Sequence, residues 1–239
     1  HSTLGWPADT PDMRHFFPTS VMETGYDILF FWVARMIMMS LENTGTEPFK
    51  TVFLHGLIRD VDGVKMSKTK GNVLDPIEVI DRYGTDALRF ALTTGVAPGN
   101  DLRLGEAKLE TGRNFANKLW NASRFAISIL EESKIASHQY GNYQLDSNFT
   151  NSSTAKLNRQ DRWILHKLNE TSKTASDYLK VFEIGEAQKT IYEFLWADYC
   201  DWYIEMAKIR FQSGDNSPLP TLIFCLDQTL RLLHPFMPF

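Results

Sequence analysis

The chain has 239 residues, 43% of them hydrophobic and 13% aromatic, enough apolar material for a sizeable core and a length that fits one large domain or two modest ones. A formal net charge of -4 excludes a general nucleic-acid coat protein, whose surface is basic throughout, so any RNA contact must be local. Cys200 and Cys225 lie in apolar helical patterns with no partner at metal-ligand spacing, which supports neither a disulfide framework nor a zinc site and fits a reducing cytoplasm.

Taken in order, the chain opens on "HSTLGWPADTPD" without an initiator methionine and reads as a fragment. From residue 16 to 95 the pattern is mixed. "TSVMETG" predicts a strand, and "YDILFFWVARMIMMSLENTG" predicts a helix stopped by Gly45 at its C-terminal cap. The apolar run 28–39 is interrupted by Arg35 and falls short of the roughly 20 residues a membrane span needs, so it is expected as a buried helix. "KTVFLHGLI" predicts a second strand, and "DVDG" supplies turn chemistry after it. In "DPIEVIDRYG", Asp75 is placed to cap a helix that starts on Pro76 and ends before Gly84, with Thr85 capping a further helix, "DALRFALTTG". Strands alternating with helices imply a parallel sheet.

Past Gly95 the strand signal disappears. Leu109, Ala116, Leu119, Trp120, Ser123, Ile127 and Leu130 form one stripe of a helix of about seven turns, with Lys108, Arg113, Lys118 and Arg124 on its flanks. Residues 132–160 are rich in Ser, Asn and Gln without periodicity and predict a mobile connection. Helices are then expected at about 161–182, 184–212 and 220–234, the middle one with a stripe of Ala187, Ile191, Phe194, Trp202 and Met206. The closing "LLHPFMPF" is apolar and is expected to need cover from outside the chain.

"VKMSKTKGN", residues 64–72, carries the chemistry. Ser67 stands where a Walker-type loop needs glycine before its lysine, and no Gly-rich dinucleotide fingerprint occurs elsewhere. What remains is a lysine-bearing loop after a strand of a parallel sheet, at the edge where such sheets bind ligands. Ammonium groups on a loop suit a polyphosphate whose charge moves during reaction. A solvated lysine cluster on a turn is the bland alternative, and composition alone favours it.

"KMSKT" followed by "GN", with "HG" ten residues upstream, resembles the Lys-Met-Ser-Lys-Ser signature of class I aminoacyl-tRNA synthetases. "STLGWP", "PTSVMETGYDILFFWVARMIMM", "HGLIRDVDGVKMSKTKGNVLDP", "NFANKLWNASRF" and "WADYCDWYIEMAK" together look like the valyl-tRNA synthetase family, over nearly the whole chain. The isoleucyl family is the nearest competitor but usually opens the helix after Gly-x-Asp differently from "ILFFW". A third reading is a noncatalytic tRNA-binding module that kept the fold. Thr69 stands where the signature usually has serine, and both carry a hydroxyl. The family's His-Ile-Gly-His element and its editing insertion do not occur among these residues.

The resemblance implies an α/β plus all-α chain: the second half of a class I nucleotide-binding, Rossmann-like fold at 1–95, a stem-contact segment and connection at 96–155, and an anticodon-binding helical bundle at 156–239. It implies ATP as substrate, with Mg2+ accompanying ATP and no protein metal site, and valine and tRNA(Val) as partners of a monomeric, cytoplasmic parent enzyme. Lys68, and with it Lys65, would neutralise charge growing on the leaving pyrophosphate. Gly25 would let the backbone approach the nucleotide and Asp27 would accept from the ribose hydroxyls, or cap a helix. His55, Gly56 and Ile58 would line the adenine pocket, Lys65, Met66, Ser67 and Lys68 would complete the ATP-binding set with Met66 packing under the loop, and Trp32 would face the amino-acid side chain. Without nucleotide the loop is expected to be more mobile than the preceding strand or to stand open, away from Gly25 and Asp27, and to become ordered when ATP and the other half of the site are present. Residues 64–125 hold ten Lys/Arg against seven Asp/Glu, a local excess that would track tRNA phosphates. Trp163, Trp196, Trp202 and Tyr203 are candidates to stack on bases, with core packing the commoner fate of such residues.

Overall fold

The computed structural model describes residues 1–133 and 157–239, so most of the connection expected at 132–160 lies outside the described residues. Two compact units form, one from His1–Lys65 with Ala97–Arg103, the other from Met66–Val96 with Leu104–Phe239.

In the first unit a short helix, α1 (Pro11–Phe16), starts where the Thr10 hydroxyl accepts from Met13 N at 3.1 Å and Pro11 fixes the first turn. β1 (Thr19–Gly25) and β2 (Phe49–His55) pair in parallel, in register from Thr19 opposite Phe49 to Gly25 opposite His55. Their crossover is a tight 3-10 turn at Tyr26–Ile28, a π-turn at Leu29–Val33 and helix α2 (Ala34–Thr44), which Gly45 ends in the left-handed region with its N–H on Leu41 O. Parallel strands need such a crossover. The stretch expected as one strand, "KTVFLHGLI", is two: β2 stops at His55 and β3 (Ile58–Arg59) leaves to pair in parallel with β4 (Leu102–Arg103), a two-residue strand that carries no readable periodicity. Gly56 marks the break, because a Cβ there would lie 1.7 Å from Asn100 O.

The run 28–39 is not a buried helix. Phe30 and Phe31 are 76% and 64% exposed, Met38 and Met39 are also exposed, and from Ile28 to Met39 only Val33 is buried. A unit built from two two-stranded sheets and short helices has too little second layer to cover an apolar helix all round.

The second unit buries its apolar residues. α3 (Pro76–Tyr83) begins as expected, the Asp75 carboxylate accepting from Ile77 N at 2.8 Å. α4 (Thr85–Thr93) follows directly, but its cap is Gly84 and Thr85 is already inside it. α5 (Glu106–Glu132), α6 (Arg159–Lys180), α7 (Ile184–Glu193), a π-helical stretch Phe194–Ile204, α8 (Glu205–Gln212) and α9 (Leu219–Leu233) build the bundle. Its core includes Phe90, Phe115, Ile164, Leu168, Phe194 and Tyr199.

Two stripes are corrected. On α5 the buried face is Leu109, Gly112, Phe115, Ala122 and Ala126, while Trp120 is 67% exposed and Ile127 is also out. Gly112 sets that rotation: a Cβ there would sit 2.5 Å from Ala87 O, so the helix turns its bare backbone toward α4. Along α7 the stripe holds for Ala187, Ile191 and Phe194 and fails at Trp202, because i→i+5 bonding between them changes the residues per turn. The terminal "LLHPFMPF" needs no outside cover at Phe236 and Met237, which are buried in the bundle's own core. Arg89 donates from Nε to Phe236 O at 3.1 Å and from Nη2 to Pro235 O at 3.0 Å.

Candidate active site

Because β1 and β2 run parallel and in register, both leave the sheet at the same edge, with Gly25 beside His55. That carboxyl-end edge is where open parallel sheets take ligands. Gly25 has an ordinary extended backbone, φ -67°, so positive φ does not explain it. Space does: a Cβ would lie 2.8 Å from Asp27 Oδ1 and 3.4 Å from His55 Cε1. The His55 Nδ1 sits 2.8 Å from Gly56 O, which can only accept, so this nitrogen carries the proton; Nε2 faces Glu23 Oε1 at 3.4 Å. Asp27 lies in the 3-10 turn after β1 and accepts from Lys65 Nζ at 3.1 Å. The Lys65 end of the loop therefore rests on Asp27. Both partners are partly exposed, and such a pair contributes about 0–1 kcal/mol, so an incoming ligand exchanges it at little cost. Ile58 is an exposed β3 residue, and Trp32, 54% exposed, lies in the π-turn rather than in a core.

Asp101 was not among the sequence candidates, although it joins three of their segments. Its Oδ1 accepts from Leu57 N at 2.8 Å, and its Oδ2 accepts from Arg59 Nε and from Tyr26 OH at 3.4 Å. The Leu57 N–H bond, then Arg59, hold this carboxyl below the usual range, and Asp101 in turn raises the Arg59 guanidinium. Turn chemistry in "PGND" was the only trace of it in the sequence.

The rest of the lysine loop belongs to the second unit. Met66 is half-buried and packs on the cluster of Val79, Tyr83, Ala87, Leu104 and Leu109, which anchors the loop's first turn. Ser67 N donates to Asn72 Oδ1 at 2.9 Å, its Oγ lies 3.1 Å from Thr69 Oγ1, and Lys68–Lys70 is a 3-10 turn that Gly71 ends at φ 68°, a conformation that suits glycine. Lys68 itself is exposed.

Residues 1–105 match the family described as tRNA synthetases class I (I, L, M and V), and residues 161–239 match the anticodon-binding domain of tRNA ligase. The valine–tRNA ligase of Dehalococcoides mccartyi strain CBDB1 is 53% identical over the whole of this chain, and that of Geobacillus stearothermophilus 49%. The chain belongs to the class I tRNA synthetases. It spans about 26% of the length of each of these two relatives. In fold this synthetase chain is similar to the Mycobacterium tuberculosis methionyl-tRNA synthetase in complex with methionyl-adenylate, with a TM-score of 0.77 and 21% identity over 99% of this chain and 46% of that one. A second likeness, TM-score 0.70 at 20% identity, is to the Agrobacterium radiobacter leucyl enzyme in a ternary complex; it covers 97% of this chain and 27% of that one.

Within the region of this synthetase chain that matches the anticodon-binding domain, the four aromatic candidates separate. Tyr203 is fully buried and its hydroxyl donates to Asp161 Oδ1 at 2.7 Å, so it is core and not a stacking platform. Trp196 is half-buried under the Lys118 ammonium, 4.9 Å from its ring centre. Trp163, half-buried, and Trp202, 63% exposed, line a groove of about 630 Å3 with Arg159, Gln160, Lys167, Asp198 and Met206. Both cysteines are buried, and burial pushes the Cys200 thiol up to about 11. Among the described residues no helix is long and apolar enough to cross a membrane, and no group of three or more His, Cys, Asp or Glu is placed to hold a metal ion.

Proposed function

We propose that the full-length protein is a valine–tRNA ligase, cytoplasmic and monomeric, to which residues 1–95 contribute the second half of the nucleotide fold, 96–155 a stem-contact segment, and 156–239 the anticodon-binding bundle. The reading is carried by identity of about half to valine–tRNA ligases over the whole chain, loop and bundle alike. The edge geometry supports it: Gly25, Asp27, His55 and Gly56 meet at the ends of two parallel strands, and a lysine lies within 3.1 Å of the carboxylate.

In this reading the valine carboxylate attacks the α-phosphorus of ATP, the bond to the β-phosphate oxygen breaks, and valyl-adenylate and pyrophosphate form. The acyl group then passes to a 3′-terminal hydroxyl of tRNA(Val), releasing AMP. Asp27 accepts from the ribose hydroxyls, which frees Lys65 from its present partner for the phosphates. Lys68 neutralises charge that grows on the leaving pyrophosphate, an interaction stronger in the transition state than in the ground state. Ser67 and Met66 hold that lysine's turn in shape, His55, Gly56 and Ile58 border the adenine, and the exposed Trp32 offers valine an apolar wall. Magnesium would enter on the ATP phosphate oxygens, the ligands it usually takes in such sites.

The test is ATP–pyrophosphate exchange by the full-length protein. Valine-dependent exchange is expected; isoleucine-dependent exchange, or tRNA binding without exchange, overturns the reading. Lys68→Ala should lower the activation rate by about 10²–10³-fold with the KM for valine nearly unchanged. The 239 residues alone are expected to give no exchange, because the His-Ile-Gly-His element is not among them.

A further inference from the structure

We propose that Asp101 is a positioning residue of the nucleotide site, fixing from a separate segment the three stretches that carry the site and the lysine that serves it. The proposal rests on the ligase reading above. Two of its three contacts fall between two site residues, and the third leads to Lys65. Tyr26, whose hydroxyl meets Oδ2 at 3.4 Å, stands between Gly25 and Asp27. Leu57, whose N–H reaches Oδ1 at 2.8 Å, stands between Gly56 and Ile58. Arg59, bound to Oδ2 through Nε, donates from Nη1 to Gly63 O at 3.1 Å and forms an antiparallel bridge with Lys65.

Between Arg59 and Lys65 the chain closes on itself, with Asp60 N on Val64 O at 3.0 Å and Val64 N on Asp60 Oδ1 at 2.8 Å. The position of Lys65 is thus inherited from Arg59, and that of Arg59 from Asp101. The backbone beside Asp101 is fixed as well: Asn100 O occupies the space of a Gly56 side chain, and Leu102 N donates to Leu57 O at 2.9 Å. Asp101 has only 20% of its side chain exposed, and Arg59 32%, so the pair is better shielded than the Lys65–Asp27 pair it supports. The carboxylate stays ionised across the neutral range because both an N–H and a guanidinium bind it. A merely structural ion pair would tie two elements; this one sets the spacing of Asp27, Gly56 and Lys65 together, and misplacement of such groups is costly to a reaction.

Asp101→Asn keeps the size and the Leu57 bond and removes the charge that holds Arg59; Asp101→Ala removes both. In the full-length protein each should lower kcat/KM for ATP in valine-dependent exchange by about ten- to a hundredfold, while tRNA affinity and the unfolding midpoint hold. Arg59→Gln should reproduce most of the loss, and the double variant should be no worse than the poorer single one, since both act through one contact. Normal exchange by Asp101→Ala, additive losses in the double variant, or equal losses of ATP kinetics, tRNA affinity and folding would overturn the proposal. If the wild-type protein gives no valine-dependent exchange, the ligase reading fails, and amide hydrogen exchange decides Asp101 by itself. Faster exchange at Leu57 and Val64 in Asp101→Ala supports the positioning role; unchanged protection ends it.

Discussion

The two units use apolar residues in opposite ways. The first holds the most apolar run in the chain and leaves most of it exposed, Phe30, Phe31 and Trp32 included; its segments are tied instead by polar groups, Asp101 to Arg59, Leu57 and Tyr26. The second buries Phe115, Ile164, Leu165, Leu168 and Tyr199 to within 1% exposure and admits few charges to its interior. Where it does, they are neutralised in place: Asp161 is 1% exposed and accepts from Arg210 Nη1 at 2.8 and 3.0 Å and from the Tyr203 hydroxyl. A polar tie sets positions to within a bond length but stabilises little net; apolar burial stabilises strongly but without direction. A site unit needs the first property and a helical scaffold the second.

That contrast breaks most readily at Asp161. Asp161→Ala takes from Arg210 its buried carboxylate, leaving it Asp215 at 2.9 Å, and from the Tyr203 hydroxyl its nearer acceptor, and should cost about 2–3 kcal/mol in denaturant unfolding of the 239-residue chain; a loss below 1 kcal/mol would mean the bundle tolerates the loss of a buried partner and the contrast is false. A smaller effect is expected at Asp215, whose carboxyl is held at about 2, first by the Ser217 bonds and then by Arg210, against an ordinary 3.8. Because the folded value is depressed, its contribution is present above the ordinary value and disappears as pH falls through about 2. The gap in thermal midpoint between wild type and Asp215→Asn should therefore close between about pH 4 and pH 2; a gap independent of pH would remove the linkage. The smallest effect sharpens the other side. Phe30→Ser, at a side chain already in solvent, should change the stability of the same chain by no more than about 0.5 kcal/mol, and a loss like that at Asp161 would show the run to be buried after all.

Legibility in the sequence followed the range of the interaction. β1, α3 with its Asp75 cap, and the Gly45 stop were readable because their causes lie within a few residues. The lysine loop was readable as a motif, and its Ser67–Asn72 bond lies inside the quoted stretch. The break at Gly56 was not, because it is made by Asn100, far along the chain. Asp101 escaped for the same reason: its partners are 42 to 75 residues away, and nothing local distinguishes it from other loop aspartates. The α5 stripe failed where hydrophobicity and packing disagree. Trp120 is the more apolar residue, yet Gly112 decides the face because it lets another backbone approach. The burial expected of 28–39 came from counting apolar residues without asking what could cover them.

The π-helical stretch Phe194–Ile204 has a bearing on which length changes the chain can tolerate. Insertions and deletions are ordinarily absorbed in loops, yet here surplus residues per turn are stored inside a continuous helix, between α7 and α8. Deleting a single residue from the stretch would let i→i+4 bonding resume over one turn, and because the wider turn had absorbed that residue, everything beyond it would keep its face. Arg210, on the helix after it, would then still meet Asp161 although the chain before it had lost a residue. This segment is therefore a place inside a helix where a one-residue length change leaves the packing beyond it in register, and an alignment gap there joins two chains with equally faced bundles.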